Sequence, residues 1–326
     1  MKRVISLLLP LALLLLLGGC GESAPAQKEL FAMDTILSVK VWGSEAALSA
    51  VSDELLRLDA LLDATDADSE IGRLNAGKTV GGETAALIEQ AAVYSDRTGS
   101  AFDPTVYPLV RLWGFTGQTQ RVPTQSELDE ALKSVGTDRI DFSDEGVSLY
   151  GGAEIDLGGI AKGYAAERCV ALLEQNGATA ALLSLGGNVQ TYGTKPDDSA
   201  WRIGIADPSS PEHSIATLTV HGTKALVTSG GYQRYFEADG VTYHHILNPE
   251  TGCPAQSGLA SVTVIADSGT MADAYSTALF VMGLERATDF WRGEQSFEAV
   301  FVTTDGAIYA TDGVTPEDCE YTVIER

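Results

Sequence analysis

Two short stretches of the sequence combine glycines with groups that could hold a phosphorylated ligand. In "DLGGIAKG", Asp156 precedes the pair Gly158 and Gly159, and Lys162 stands where a helix is predicted to begin. Glycines let the backbone approach a ligand closely, and the first turn of a helix offers free amides and a positive dipole end. A strand-to-helix turn that needs glycine only for its geometry explains this stretch equally well.

The second stretch, "TMADAYSTALF", places Asp273 and Thr277 four residues apart, so that on a helix they share one face. A carboxylate and a hydroxyl together offer two hard oxygens of the kind that Mg²⁺ prefers. A capping box formed by Thr270 and Asp273 would explain the aspartate without a metal. That alternative leaves Thr277 unexplained, because threonine is a mediocre residue in mid-helix.

Adjacent histidines mark a third candidate, "YHHILNPETG", where His244 and His245 in a strand would face opposite ways. One side chain would point outward. The inward one is a base, a ligand contact or a satisfied core histidine, and the last is the usual case. Arg234 in "TSGGYQRYF" is a possible anion contact, although a structural role in its loop is favoured.

The charge of the chain limits its partners. With 45 acidic and 21 basic residues, its formal net charge is −24. This argues against nucleic acid and against anionic lipid headgroups as partners, and a phosphate ligand would need a cation beside it. Cys169, Cys253 and Cys319 are far apart and form no CxxC motif, so a zinc site is not expected and one disulfide at most is possible.

The first 30 residues are predicted to be a leader and a tether. Residues 1–19 have a basic start and a short apolar run, which is typical of a secretory signal peptide. The run ends in "LGGC", which resembles a bacterial lipobox with Cys20 as the lipidated residue; an ordinary signal peptide with a chance cysteine is the alternative. Residues 20–30 then form a flexible tether, which predicts a lipid-anchored protein on the extracytoplasmic face of the bacterial cell membrane.

The rest of the chain, residues 31–326, is predicted to be a single domain of mixed elements. "SEAALSAVSDELLRLDALLDA" predicts a helix with Ser44 as N-cap, and "TQSELDEALKSVG" predicts another with Thr124 and Glu127 as a capping box. The second half is richer in strands. Since strands and helices do not alternate as in βαβ units, the pattern indicates an α+β layered fold rather than a Rossmann sheet.

Eight stretches in this order resemble the ApbE family of FAD:protein FMN transferases. They are "AMDTILSVKVWG", "SEIGRLNAG", "AFDPTVYPLVRLWGF", "IDLGGIAKGYAAE", "LLSLGGNVQTYG", "VTSGGYQRYF", "HHILNPETG" and "VTVIADSGTMADAYSTALFVMG". The resemblance implies an α+β fold related to the T-fold, with helices layered on mixed or antiparallel sheets. It also implies FAD as substrate, Mg²⁺ as cofactor, and transfer of FMN to a threonine hydroxyl of a flavoprotein subunit that carries a Ser/Thr motif, with release of AMP.

The same resemblance implies roles for individual residues. The metal ligands would be the side chains of Asp273 and Thr277 and the backbone carbonyl of Gly159. His245 would assist transfer by accepting a proton from the incoming hydroxyl, for which an imidazole near its ordinary pKa is suited. The implied FAD contacts are Met33, Phe102, Asp103, Pro104, Asp156, Lys162, Ile246 and Ser276.

Three positions bear on how far the resemblance carries. The usual Met-Gly-Thr is Met33-Asp34-Thr35 here, and Thr65 lies near the place of an aromatic residue that stacks on FAD in many relatives. Asn75 matches a position that influences hydrolysis against transfer in some relatives. The alternatives to a transferase are a Mg²⁺-dependent FAD pyrophosphatase and a flavin-binding lipoprotein or receptor without catalysis.

Overall fold

The computed structural model describes residues 24–117 and 119–326. The predicted signal peptide and Cys20 lie outside the described residues. The helices are α1 (Glu45–Leu62), α2 (Glu70–Asn75), α3 (Gly82–Arg97), α4 (Tyr107–Trp113), α5 (Gln125–Leu132), α6 (Ala161–Gln175), α7 (Gly269–Met282) and α8 (Leu284–Gly293). The strands are β1 (Ala26–Ala32), β2 (Thr35–Trp42), β3 (Ile140–Ser143), β4 (Gly146–Leu149), β5 (Ala180–Leu185), β6 (Asn188–Gly193), β7 (Trp201–Asp207), β8 (Ser210–Val220), β9 (Lys224–Gly230), β10 (Tyr235–Ala238), β11 (Val241–His244), β12 (Leu259–Ala266), β13 (Phe297–Thr303), β14 (Ile308–Thr311) and β15 (Thr322–Ile324).

One nine-stranded sheet organises the molecule, in the order β1-β2-β5-β6-β9-β12-β13-β14-β15. Every neighbouring pair in it is antiparallel except β14 and β15, which are parallel. A Rossmann sheet is built from parallel strands joined by helical crossovers, so this topology excludes it. The predicted α+β architecture is confirmed.

A strand begins within the segment that the sequence predicted to be a flexible tether. Residues 20–30 were expected to form a tether, but strand β1 begins at Ala26 and pairs with β2 over its whole length, from Ala26 opposite Val41 to Ala32 opposite Thr35. The boundary at residue 31 is therefore corrected. Antiparallel pairing with β2 satisfies those backbone groups of residues 26–30 that face β2, in a segment that composition alone marks as small and polar.

Helices cover one face of the sheet and form the main core with it. Alternation along β2 turns Leu37, Val39 and Val41 toward that face, and all three are buried. Helix α7 is buried along almost its entire length, because it lies between α6 and strands β9 and β12. This buried position makes α7 a rigid carrier for any side chain that it presents to a ligand.

The opposite face of the sheet is covered by a long hairpin of β7 and β8. Trp201 of the hairpin packs edge to face on Trp42 of the sheet, with 5.8 Å between ring centroids. A third apolar cluster joins α4 and α5 to the small hairpin of β10 and β11 through Trp113, Phe236 and Tyr243. None of the helices in the described residues is both long and apolar enough to cross a membrane.

The two predicted helix caps are confirmed, and the alternative explanation of Asp273 by a capping box is contradicted. Ser44 caps α1, and Thr124 with Glu127 forms the capping box of α5. At α7 the N-cap is Ser268, whose hydroxyl accepts a hydrogen bond from the Met271 amide. The capping box of Thr270 and Asp273 does not form, so capping does not explain Asp273.

Candidate active site

A cavity of about 690 Å³ opens where loops from distant parts of the chain meet. This volume lies within the range of small-molecule sites, about 300–1,000 Å³. The wall is formed by the β1–β2 turn, the end of α1, the "DLGG" loop, the β5–β6 turn, the end of β9, and the segment after β11. Among the lining residues are Met33, Phe102, Asp103, Asp156, Gly159, Lys162, Asn188, Ser229, Arg234, His245, Ile246, Asp273 and Thr277.

Hydrogen bonds from two other segments fix the "DLGG" loop. The Asn75 side chain both donates to the carbonyl of Ile155, at 2.9 Å, and accepts from its amide, at 2.7 Å. The next amide, that of Asp156, donates to the Pro104 carbonyl at 2.8 Å. The Asp156 carboxylate then accepts from the Gly158 amide at 2.7 Å, which closes a local turn. The backbone of the loop that carries this carboxylate is thus held at the cavity wall by partners about 50 to 80 residues away.

Asp273 is buried where the N-terminal ends of α6 and α7 approach each other. Its Oδ2 accepts a hydrogen bond from the Gly163 amide at 2.8 Å, in the first turn of α6. The approach requires glycine, since a Cβ at Gly163 would lie 2.1 Å from the Gly269 carbonyl oxygen and 2.6 Å from the Asp273 Cβ. This amide of α6 therefore binds a carboxylate of the protein itself, and the positive end of the helix dipole stabilises the negative charge of that carboxylate.

The N-terminus of α7 is tied to α6 by one side chain. The Glu167 carboxylate accepts hydrogen bonds from the Ser268 hydroxyl at 2.8 Å, the Thr270 amide at 3.2 Å and the Thr270 hydroxyl at 2.9 Å. A carboxylate at a helix N-terminus satisfies free amides and complements the dipole. Glu167 thereby fixes the register of α7, and with it the positions of Asp273 and Thr277.

Two of the predicted FAD contacts lie behind the cavity wall. Ser276 is fully buried and does not line the cavity; its hydroxyl donates to the Asp273 carbonyl at 2.9 Å and lies 2.8 Å from the Ser229 hydroxyl. Ser229 lines the cavity in its place. Pro104 does not line the cavity either, and its carbonyl instead accepts from the Asp156 amide. Both remain predicted FAD contacts, and in this structure both support the wall without lining the cavity.

The two histidines have different environments, and neither is simply turned to solvent as one had been expected to be. His244 lies 3.0 Å from the Ala255 carbonyl through Nε2 and packs edge to face on Phe280. His245 lines the cavity, and its Nδ1 lies 3.1 Å from the Arg234 carbonyl. Because a carbonyl only accepts, Nδ1 carries the hydrogen, and Nε2 of His245 keeps a free lone pair.

The pKa of His245 differs from the ordinary value that is expected from the sequence. Burial in the cavity wall, reinforced by the nearby Arg234 cation, lowers the pKa of His245 to about 3. The ring is nevertheless partly open to solvent through the cavity. In the free protein His245 is therefore a neutral imidazole at pH 7, able to accept a proton when an anionic ligand lies beside it.

Carboxylates outnumber cations around the cavity. Six aspartates line it, and only Lys162 and Arg234 oppose them among the described residues; the aspartates are Asp34, Asp59, Asp63, Asp103, Asp156 and Asp273. Burial raises the pKa of Asp59, of Asp103 and of Asp156 above the ordinary value. Crowded, partly desolvated carboxylates of this kind favour a bound cation, and they oppose a phosphate that arrives without one.

The backbone at the rim of the cavity accommodates Asp34, which stands where the family usually has glycine. Met33 and Asp34 are the two central residues of a tight hairpin turn, with φ of 52° and 59°. Glycine is favoured in this region, but aspartate tolerates it. The Asp34 carboxylate lies 3.4 Å from the Arg234 guanidinium, which also donates to the Phe115 carbonyl at 3.1 Å. Arg234, to which a structural role had been assigned, lines the cavity while it braces the rim.

The residues present fit a hard divalent cation. Asp273 uses Oδ2 for the Gly163 amide, and its Oδ1 accepts no hydrogen bond from the described residues. Thr277 lies beside Gly159, since a Cβ on that glycine would be 3.4 Å from the Thr277 Oγ1. No group of three or more His, Cys, Asp or Glu side chains suited to a metal occurs in the described part of the chain. A site here would use one carboxylate with hydroxyl and carbonyl oxygens, a donor set typical of Mg²⁺.

The cavity thus brings together hard oxygen donors, a neutral imidazole and the cations of Lys162 and Arg234. The ApbE family model matches residues 33–301, and the chain belongs to the ApbE family. The FAD:protein FMN transferase of Treponema pallidum is 34% identical, over 91% of this chain and 90% of its own length. The FAD:protein FMN transferase of Klebsiella pneumoniae is also 34% identical, over 90% of this chain and 95% of its own length.

Solved structures show the same fold. The crystal structure of the ApbE protein of Thermotoga maritima is 36% identical and superimposes with a TM-score of 0.82, covering 89% of this chain and 97% of that one. The apo form of the flavinyl transferase ApbE of Pseudomonas stutzeri is 30% identical, with a TM-score of 0.78, and covers 88% of this chain and 95% of that one.

The structure brings most of the predicted site residues to one cavity and adds three that the sequence did not indicate. Ser229 and Asn188 line the cavity together with Arg234, the possible anion contact, and Glu167 supports the cavity from outside its lining. The Asn188 amide nitrogen is buried and has no hydrogen-bond partner among the described residues. Asn188 and Glu167 stood inside quoted motifs, "SLGGN" and "KGYAAE", but only the long-range contacts reveal their roles.

Proposed function

We propose that this protein is an FAD:protein FMN transferase that works with Mg²⁺ and modifies a threonine hydroxyl of an acceptor flavoprotein, releasing AMP. Membership of the ApbE family supports the activity. The relatives named FAD:protein FMN transferase match this chain over nearly their whole length. The observation that carries the finer proposal is the convergence of Asp273, Thr277, Gly159 and His245 on one cavity.

The metal would be held by the Asp273 carboxylate, the Thr277 hydroxyl and the Gly159 carbonyl. When bound, Mg²⁺ offsets negative charge on the phosphoryl oxygens of the substrate. The protein prepares this place by burying Asp273 against the Gly163 amide and by setting Thr277 next to the "DLGG" loop. The surrounding aspartates make the cation necessary, because they would otherwise repel the pyrophosphate.

His245 would take the proton from the acceptor. Its Nε2 lone pair is free, because Nδ1 donates to the Arg234 carbonyl and so fixes the ring and its tautomer. The acceptor hydroxyl oxygen would form a bond to the FMN phosphorus of FAD while the bond from that phosphorus to the AMP oxygen breaks. The hydroxyl proton passes to His245, and AMP leaves with the electron pair of the broken bond.

The remaining contacts would orient FAD. Lys162 and Arg234 provide the two cations of the cavity, and the Asn188 amide is a buried donor that can pair with an acceptor on the nucleotide. Phe102 and Ile246 provide apolar surface in the wall. We further propose that the chain is anchored outside the cytoplasm through Cys20, a proposal supported by the lipobox-like "LGGC".

The test uses the full chain in detergent with FAD, Mg²⁺ and an acceptor domain that a related transferase modifies. The intact mass of the acceptor and the release of AMP are followed together. We expect the acceptor to gain one FMN for each AMP released. The gain should be lost with EDTA and in His245→Ala, and it should survive in His244→Gln, which changes the neighbouring imidazole that does not line the cavity.

Two other outcomes would overturn the proposal. AMP and free FMN without any gain in acceptor mass would indicate an FAD pyrophosphatase, in which water replaces the acceptor. FAD binding with no AMP release, unaffected by EDTA, would indicate a flavin-binding lipoprotein without catalysis.

A further inference from the structure

The two most exposed large apolar side chains among the described residues stand together at the lip of the cavity. Phe31 and Ile36 are 70% and 68% exposed, and they lie directly opposite each other in the β1–β2 pair. Between them in the chain lies the turn of Met33 and Asp34, and this turn and Thr35 line the cavity. We call Phe31 and Ile36 the lip pair.

The lip pair lies at the exposed end of a sheet face, and a hairpin covers the other end of that face. Ile36 and Trp42 have the same parity in β2 and so point to the same face. At the Trp42 end, that face is covered by the β7–β8 hairpin, which packs Trp201 on it. At the Ile36 end the two apolar side chains remain exposed. Strand β1 is also the edge of the sheet, with no neighbour beyond it among the described strands.

We propose that the lip pair is the docking surface for the acceptor polypeptide, on the segment that carries the modified hydroxyl residue. The inference rests on the proposed function, in which a protein side chain must enter the cavity. A polypeptide whose side chain reaches His245 has to cross the rim, and this apolar part of the rim adjoins the cavity directly. Burial of exposed aromatic and aliphatic side chains at the centre of a contact is the usual source of affinity between proteins.

The test separates docking from chemistry by kinetics on the full chain. The double variant Phe31→Ser with Ile36→Ser is compared with the wild type, with FMN transfer measured at increasing concentrations of the acceptor domain. We expect the KM for the acceptor to rise about tenfold, as is typical when two anchoring side chains are lost, with kcat unchanged. The affinity for FAD, measured by flavin fluorescence, should stay within about twofold of the wild type.

A matched control lies at the opposite edge of the same sheet. Val323 of β15 is 50% exposed and does not line the cavity. Val323→Ser therefore removes an exposed apolar side chain from the edge strand at the other end of the sheet. Its KM for the acceptor should equal that of the wild type. A KM unchanged in the double variant, or raised equally in Val323→Ser, would overturn the proposal.

A second measurement identifies what touches the surface. Phe31 is replaced by the photo-crosslinking residue benzoylphenylalanine, and the full chain is reconstituted in vesicles of phosphatidylethanolamine and phosphatidylglycerol with the acceptor domain added outside. A crosslink to the acceptor near its flavinylated residue supports the proposal. A crosslink to lipid alone would show that the lip pair faces the membrane, and would overturn it. Failure of the proposed function would appear separately, as a wild type that transfers no FMN.

Discussion

The floor and the rim of the cavity are built in different ways. The floor is the close contact of Gly163 and Asp273 where the ends of α6 and α7 meet, and the exposed side chain of Glu167 supports it from outside the cavity. The rim consists of the Met33–Asp34 turn and Arg234, which are joined by an exposed ion pair. A buried and closely packed contact cannot adjust without cost, whereas an exposed rim can change its residues and move. Substitutions should therefore act strongly at the floor and weakly at the rim.

The largest effect is expected from Gly163→Ala. The added Cβ would lie 2.1 Å from the Gly269 carbonyl oxygen, so α6 and α7 must move apart. We expect a loss of about 3 kcal/mol in the free energy of unfolding, measured by urea denaturation. Gly293→Ala, where no atom lies within 4 Å of the new Cβ, is the control and should cost little. Equal stability of both variants would mean that the floor is not tightly packed.

Asp273→Asn should remove most of the transfer activity while the fold stays intact. The amide has the same shape but no negative charge for a cation, so we expect the rate of FMN transfer to fall about a hundredfold or more, which equals about 2.7 kcal/mol. Binding of Mn²⁺ in place of Mg²⁺, followed by electron paramagnetic resonance, should weaken in parallel. Asp267→Asn, in the exposed loop before α7, should behave as the wild type. Unchanged Mn²⁺ binding in Asp273→Asn would place the metal elsewhere.

Glu167→Gln tests whether the floor depends on a residue that does not line the cavity. The charged acceptor of three hydrogen bonds at the start of α7 becomes neutral, and we expect a loss of about 1 kcal/mol in stability. Mn²⁺ binding should weaken several-fold because the position of Asp273 loosens. Glu174→Gln, at another exposed position about two turns further along the same helix, is the control. Lower stability with unchanged Mn²⁺ affinity would show that the cap does not position the metal ligands.

The buried histidine of the wall gives a pH effect of intermediate size. The pKa of His245 is about 3 in the folded protein and near 6.5 when unfolded, so below pH 6.5 the unfolded chain binds a proton that the folded chain does not. Stability should therefore fall as the pH drops, and His245→Gln should lose about 2 kcal/mol less than the wild type between pH 7 and pH 5. Urea denaturation of the flavin-free protein measures this difference. Parallel pH profiles would contradict burial of the ring.

The smallest effect is expected at the rim, from Asp34→Gly. Glycine suits the φ of 59° at this position, and loss of the carboxylate frees Arg234 for a phosphate. We expect FAD to bind about two- to threefold more tightly, with stability changed by less than about 1 kcal/mol. Asp239→Gly relaxes a similar turn residue, with φ of 52°, that does not line the cavity, and it should leave FAD affinity unchanged. A large loss of stability in Asp34→Gly would show that the rim is as rigid as the floor.

Local features could be predicted from the sequence because they depend on neighbours in the chain. The caps at Ser44 and Thr124, the α+β class and the shared helix face of Asp273 and Thr277 follow from short-range patterns. The predictions that failed required knowledge of distant partners. The start of β1 is one example, because only β2 makes that segment a strand, and the support of α7 by Glu167, about a hundred residues before it, could not be predicted for the same reason.

The sequence by itself determined which groups are available and along which periodicities they are spaced. The tertiary structure decided which of them share a cavity, because hydrogen bonds and packing across 80 to 200 residues cannot be inferred from local order. It moved Ser276 and Pro104 behind the wall and brought Arg234 and Asn188 onto it. It also set the charge and tautomer of His245, since burial and the Arg234 carbonyl are properties of the folded chain alone.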